Sequence, residues 1–361
     1  MKKKRKPNYK LRRTIAKIII ALLIIVPLVI IFKTKIINAP LYIKYHKNTE
    51  VLNALFDSKF TREEVKEFMP KLKEKGINSY TDDYIISLSN KGYKPSTIEY
   101  ILLNFKMGDT KYLINTKYDE DVEKMIVNKL FDYSKYDRYI NARSDDEDID
   151  RTILRVTLDI DKDNYTDTVE IEDPNSLTTF INKHRYVNED YVPDDLVDMS
   201  DDYANNYYGQ LQLRSEAYEQ FKKMVDDANK EDLEIYADTT YRSFKSQKSI
   251  YNNYVYENGY DKASLYAARA GFSEHELGTA IDISNGYLIE KGDPEYNWLM
   301  QYAYKYGFIF RYTEDNIDLT GYAAEPWHIR YVGVEVATKM HKENLTFEEY
   351  WIKYEYKKEA K

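Results

Sequence analysis

The chain has 361 residues, 43% of them apolar, with 12 Gly and 9 Pro, a balance that suits a globular protein of two units and excludes a disordered or fibrous one. It contains no Cys, which excludes disulfides, a thiol nucleophile and Cys-ligated metal, so any metal must be held by His and carboxylates. The formal charge is −8, and setting aside the eight basic side chains of residues 1–13 leaves −16 on the rest, an acidic surface that argues against nucleic acid as a partner and asks for local positive groups wherever an anionic substrate binds.

The first element is a basic tail, residues 1–13, followed by an apolar run from Ile18 to Phe32 that closes on Lys33 and Lys35. Residues 14–33 approach the ~20 needed to cross a bilayer, with Lys17 near enough the end to snorkel. No small-residue cleavage site follows, so the segment is expected to be an uncleaved transmembrane anchor with its basic flank cytoplasmic and everything beyond it extracytoplasmic.

Residues 34–150 are expected to be mainly helical. Val51, Leu52 and Leu55, and then Val65, Phe68, Met69 and Leu72, recur at helical spacing, and Gly76 and Gly92 stand where C-caps belong, with Thr81 and Ser96-Thr97 as N-caps of the helices that follow. A helix-turn-helix nucleic-acid module could show this pattern, but the charge and compartment favour a spacer or wall-facing module. Asp145-Asp146-Glu147-Asp148 suits a solvated loop.

From residue 151 the pattern changes. Ile153–Asp159 alternates as a strand does, and with a second alternating stretch through Val169 and Ile171 it predicts a hairpin leading into a second domain, 151–361. Asp159, Asp161, Asp163, Asp167 and Glu170 also fall at calcium-loop spacing, but Asn164 replaces the Gly of the sharp turn, and the hairpin is the better account.

The chemistry concentrates later. Leu233–Asp238 predicts a short strand, with Arg242 near its end and a helix carrying Gln247 beyond. His275 and Asp282 lie in Gly271–Ser284, and His328 in Glu325-Pro326-Trp327-His328. A zinc hydrolase uses three His or carboxylate ligands and leaves a position open to water, a set that His275, Asp282 and His328 would supply. Ala280–Ile283 and Trp327–Val332 both alternate, so adjacent strands would bring Asp282 to His328. Glu325, held extended by Pro326, is the candidate general base. Taken singly, each of these residues is more often structural than catalytic. His46, His184 and His341 are expected on the surface or in packing, and Trp298 with Tyr302, Tyr304 and Tyr306 in the core.

Tyr241-Arg242-Ser243, Ser273-Glu274-His275 with Gly278 and Ala280-Ile281-Asp282, and Glu325-Pro326-Trp327-His328 resemble, in order, the three signatures of VanY-type D-alanyl-D-alanine carboxypeptidases, in the lysostaphin, D-Ala-D-Ala peptidase and hedgehog superfamily. The resemblance spans about residues 182–333. It implies an α+β fold, a small antiparallel sheet flanked by helices with its core near 182–345, one Zn2+ on His275, Asp282 and His328, Glu325 as base, and Arg242, Gln247 and Ser273 binding substrate. The implied partner is a peptidoglycan stem peptide, the implied activity removal of its terminal D-alanine. An L,D-carboxypeptidase on tetrapeptide stems, and an inactive wall-binding or scaffolding protein, are the alternatives. Two positions depart from the pattern: Glu276, where relatives often carry Gln, is expected to face solvent, and Ile329 stands where an aromatic is common.

Overall fold

Between Thr49 and Ile126 the sequence starts and stops six helices with local signals: α1 (Thr49–Asp57), α2 (Arg62–Lys75), α3 (Thr81–Lys91), α4 (Pro95–Asn104), α5 (Met107–Asn115) and α6 (Glu120–Ile126). Thr61 and Glu64 form a capping box at the head of α2, and Asp119 accepts from the first amides of α6. Gly76 and Gly92 both take positive φ at C-caps. The expected N-caps are displaced: α3 begins at Thr81 itself, and α4 at Pro95, which has no N–H to lose in a first turn. The predicted apolar stripes of α1 and α2 are buried, joined by Ile85, Leu88, Ile98 and Ile101. The computed structural model describes residues 17–19, 37–144 and 147–356. Most of the expected anchor, residues 14–33, thus lies outside the described residues; among those described, no helix is long and apolar enough to cross a membrane.

Packing divides the chain between Lys129 and Leu130, earlier than the boundary placed at residue 150. The second unit opens with α7 (Tyr136–Ala142) and α8 (Ile149–Thr157), which pack on each other. The expected hairpin is therefore corrected: Ile153 lies in a helix capped by Asp148, with Thr152, Ile153, Val156 and Thr157 buried at helical spacing. The β-branched residues that suggested a strand are instead one stripe of α8. Nor does the second half return as a hairpin, because β1 (Val169–Glu170) pairs in parallel with β2 (Arg185–Tyr186). Three of the four aspartates of the calcium-like stretch are answered by cations: Arg138 binds Asp159 at 2.8 Å and Asp161 at 2.5 Å, and Lys162 lies 3.2 Å from both Asp159 and Asp167.

Next come the antiparallel pair β3 (Leu196–Asp198) and β4 (Gln212–Arg214), then α9 (Ser215–Asn229), β5 (Tyr236–Thr239), α10 (Phe244–Asn258), α11 (Tyr260–Tyr266), β6 (Ala280–Ser284), α12 (Pro294–Tyr302), β7 (Phe308–Phe310), α13 (Ile317–Thr320), β8 (His328–Tyr331), α14 (Val334–Glu343) and α15 (Phe347–Tyr350). Four strands make an antiparallel sheet in the order β5-β6-β8-β7. Ile281 and Ile283 of β6 and Ile329 and Tyr331 of β8 point into one core with Phe221, Met224 and Val225 of α9 and Trp298 of α12. Each fully buried side chain of this kind contributes roughly 1.5–3 kcal/mol. Tyr302 and Tyr306 pack against this core and Tyr304 against a second one built on α14 and α15. Because successive strand residues face opposite ways, Asp282, His328 and Arg330 project from the other side of the sheet. The α+β arrangement of a small antiparallel sheet with flanking helices is as expected.

Candidate active site

Register places the first two functional groups. Asp282 of β6 is the direct cross-strand partner of His328 of β8, and His328 Nδ1 lies 3.1 Å from Asp282 Oδ1. Directly opposed residues on one face bring their Cβ atoms to about 5 Å, within reach of one ion.

His275 arrives from a 3₁₀ turn, Glu274–Leu277, whose head is a capping box: Ser273 Oγ accepts from the His275 amide, and the Glu276 carboxylate accepts from the Ser273 amide. Gly278 ends the turn at φ +65, where a Cβ would meet Leu196 Cδ2 at 2.9 Å. His275 Nδ1 pairs with the Thr240 carbonyl at 2.7 Å, which turns Nε2 toward Asp282 Oδ2, 3.4 Å away. One ligand atom from each of His275, Asp282 and His328 lies within 4.8 Å of the others, and among the described residues this is the group with metal-binding geometry. Two imidazoles and a carboxylate, each ring nitrogen opposite the cluster already committed to an acceptor, fit a zinc site with an open position.

Burial and the Arg242 charge push His275 down to about 4. His328 goes the other way: burial disfavours its charge, but hydrogen bonds to Asp282 and Glu274 prevail and raise it to about 9. Asp282 is partly buried, which by itself raises its carboxyl, yet the two imidazoles hold it well below the usual carboxylate range. The cluster keeps an ionised carboxylate ready for a cation.

Glu325 enters from the loop before β8. Its amide donates to the Tyr312 carbonyl at 2.8 Å, and its carboxylate lies 3.7 Å from His328 Nδ1. Burial raises it to about 7, the His328 charge only partly opposing this. Arg242 follows β5, its amide bonded to the His275 carbonyl at 3.2 Å and its buried Nε without a partner. Gln247 of α10 donates Nε2 to the Ala268 carbonyl at 2.7 Å, leaving Oε1 unpartnered. A cleft of about 290 Å³ joins Arg242, Gln247, Ser273, His275, Asp282, Glu325 and His328, with Tyr312 and Tyr322 on its wall. All seven residues singled out in the sequence thus meet in one place. Ser273 Oγ is engaged in capping the turn.

Glu276 corrects an expectation. It is buried, and its carboxylate receives the Gly271 amide at 2.8 Å as well as that of Ser273, so it fastens the His275 turn from within. Burial raises it to about 7. His184 is buried against the Thr166 carbonyl, His341 stacks on Tyr304 at 3.7 Å, and His46 is exposed in a 3₁₀ turn, so none of them joins the cluster.

Sequence reasoning passed over Glu274, Arg311 and Arg330. Arg330 was recoverable from strand alternation, being two residues beyond His328 on one face. Burial pushes Glu274 up, but the charges of Arg311 and Arg330 prevail and hold it well below the usual range.

Residues 210–334 match the family model for VanY, D-alanyl-D-alanine carboxypeptidase. The chain is 38% identical over 192 residues to YodJ of Bacillus subtilis (strain 168), covering 51% of this chain and 70% of that protein. The chain belongs to the VanY family of carboxypeptidases. It is accordingly an enzyme, a metallopeptidase of the D-alanyl-D-alanine carboxypeptidase type. A D-alanyl-D-alanine carboxypeptidase of Enterococcus faecium is 36% identical over 187 residues, 50% of this chain and 58% of that protein. A solved structure of the LdcB LD-carboxypeptidase is 36% identical with a TM-score of 0.49, covering 53% of this chain and 92% of that one. The ordered motifs from Arg242 to His328 fall within the matched span, so the resemblance seen in the sequence holds.

Proposed function

We propose that this chain is a zinc-dependent D,D-carboxypeptidase that removes the C-terminal D-alanine of peptidoglycan stem peptides, with Glu325 as general base. The observation that carries the reading is an unpartnered buried guanidinium nitrogen, Arg242 Nε, in the same cleft as His275, Asp282, His328 and Glu325. A planar fork of donors matches a carboxylate, so the cleft suits the free end of a peptide and not its interior. Gln247 Oε1 supplies an acceptor for an amide N–H of the bound residue.

One zinc ion held by His275, Asp282 and His328 would act as a Lewis acid and lower the pKa of bound water. Glu325 takes the proton of the attacking water and returns it to the leaving amine, a task suited to a group near neutrality. Arg242 fixes the terminal carboxylate so that the scissile amide lies beside Glu325.

The test uses the full chain, zinc-replete, with penta- and tetrapeptide stems carrying free or amidated C-termini. Release of D-alanine from the free pentapeptide, lost on amidation and on chelation, is expected. Preference for the tetrapeptide makes the enzyme an L,D-carboxypeptidase, and inertness toward every stem by a chain that takes up no zinc makes it a wall-binding protein.

The same reading has residues 14–33 anchor the chain in the cell membrane with the catalytic unit outside, supported by the apolar run Ile18–Phe32 between basic flanks. Protease added to intact cells then removes the catalytic unit; full protection contradicts that orientation.

A further inference from the structure

Behind the cleft lies a buried ionic cluster that the proposed reaction does not use. Glu274 Oε1 accepts from Arg311 Nε at 2.7 Å and from Arg330 Nη1 at 2.8 Å, and Arg311 is shared with Glu348 of α15 at 2.9 Å. The side chains of Glu274, Arg311, Arg330 and Glu348 are at most 2% exposed. Two guanidinium groups against two carboxylates leave the cluster neutral by itself. Buried ion pairs of this kind add little net stability, since desolvation consumes most of the attraction. A buried cluster that contributes little to stability directs attention to the contact it makes with the candidate metal ligands.

That contact is with His328. Glu274 Oε2, the oxygen the arginines leave free, lies 3.2 Å from His328 Nε2, while His328 Nδ1 on the opposite edge of the ring faces Asp282. Both edges of the ring face a carboxylate, and a carboxylate only accepts, so without a cation both nitrogens donate; a cation held between Nδ1 and Asp282 would leave a single ring proton, which Glu274 keeps on Nε2, with the lone pair on Nδ1. His275 has the mirrored arrangement, its Nδ1 committed to the Thr240 carbonyl.

We propose that Glu274, clamped by Arg311 and Arg330, is a positioning residue that fixes the His328 tautomer and directs its Nδ1 lone pair to the metal. The proposal rests on the metal reading above. Arg311 and Arg330 hold Glu274 Oε1, so Oε2 has no other orientation in which to meet the ring. Glu274→Gln then reverses the contact: the amide oxygen stays with the arginines, its NH2 donates to Nε2, and the proton moves to Nδ1, where it blocks the ligand atom.

Zinc affinity of the full chain, measured by chelator competition, tests this. Glu274→Gln is expected to weaken binding by about 10–100-fold, the range for loss of a group that orients a ligand. Glu348→Gln, which disturbs the same cluster without touching His328, is expected to lower Tm and leave zinc affinity at the wild-type value. Wild-type affinity in a folded Glu274→Gln chain, or equal losses in the two variants, overturns the proposal. Should Glu274→Gln not fold, 15N spectra of the zinc-loaded wild type decide: the His328 ring proton on Nε2 supports it and a proton on Nδ1 overturns it. A wild-type chain that takes up no zinc refutes the metal reading itself, and this proposal with it.

Discussion

Asp282 and His328, 46 residues apart in the chain, are direct cross-strand partners on β6 and β8, with Oδ1 and Nδ1 3.1 Å apart. Backbone hydrogen bonding therefore sets the distance between two of the three candidate metal ligands, and only His275 depends on a loop.

That loop is the fragile part. Gly278 closes the His275 turn at φ +65, with Leu196, Arg214 and Pro193 within 3.3 Å of where a Cβ would stand. Gly278→Ala is expected to cost about 1–3 kcal/mol of stability from backbone strain, before any clash is relieved. Thermal unfolding measures it; an unchanged Tm would show that the turn has room to relax.

Glu325 should separate chemistry from binding. Glu325→Gln is expected to reduce kcat by about 10²–10⁴-fold, the contribution of a positioned acid or base, while zinc content is retained. The base must be ionised to act, and burial sets it at about 7 in the protein alone. A bound cation favours the ionised form, so the acidic limb of kcat/KM should fall with a midpoint at or below that value. Rates that rise with acidification would remove Glu325 from this role.

Arg242→Lys keeps the charge and loses the planar fork. Charge-assisted hydrogen bonds are worth about 1.5–3 kcal/mol, so kcat/KM on free stem peptides is expected to drop roughly 10–100-fold. Discrimination against amidated substrate should shrink with it. If the variant discriminates as well as wild type, another group reads the carboxylate.

Glu276 gives a pH signature in stability. Its folded value of about 7 lies above the ordinary 4.5, so folding takes up a proton between these limits and stability falls across that window as pH rises. The neutral amide introduced by Glu276→Gln does not titrate and has no such dependence. The stability of Glu276→Gln relative to wild type should increase from pH 4.5 to 7 by no more than about 3 kcal/mol and then level off. Denaturant unfolding at several pH values checks this, and a difference independent of pH would show that folding does not raise the Glu276 carboxyl.

The site was legible in the sequence because its residues lie in three short motifs whose order and spacing are unusual together, and because Ala280–Ile283 and Trp327–Val332 alternate plainly enough to be adjacent strands. The orientation of His328 was not legible. It depends on Glu274 meeting Arg311, 37 residues on, and on Arg311 meeting Glu348 a further 37 beyond, and single buried charges carry no periodic signal. Ile153–Asp159 misled because β-branched residues suit a strand locally, whereas the cap at Asp148 and packing of α8 on α7 decide for a helix. Glu276 misled through its charge: two backbone amides turned inward provide what solvent would have given.

The most direct measurement is mass spectrometry of pentapeptide muropeptides after incubation with the zinc-replete full chain and with its Asp282→Asn variant. Conversion to tetrapeptide with release of one D-alanine by the wild type, absent in the variant, is the predicted result. Cleavage that persists without Asp282, or pentapeptide left intact by a folded, zinc-loaded wild type, would contradict it.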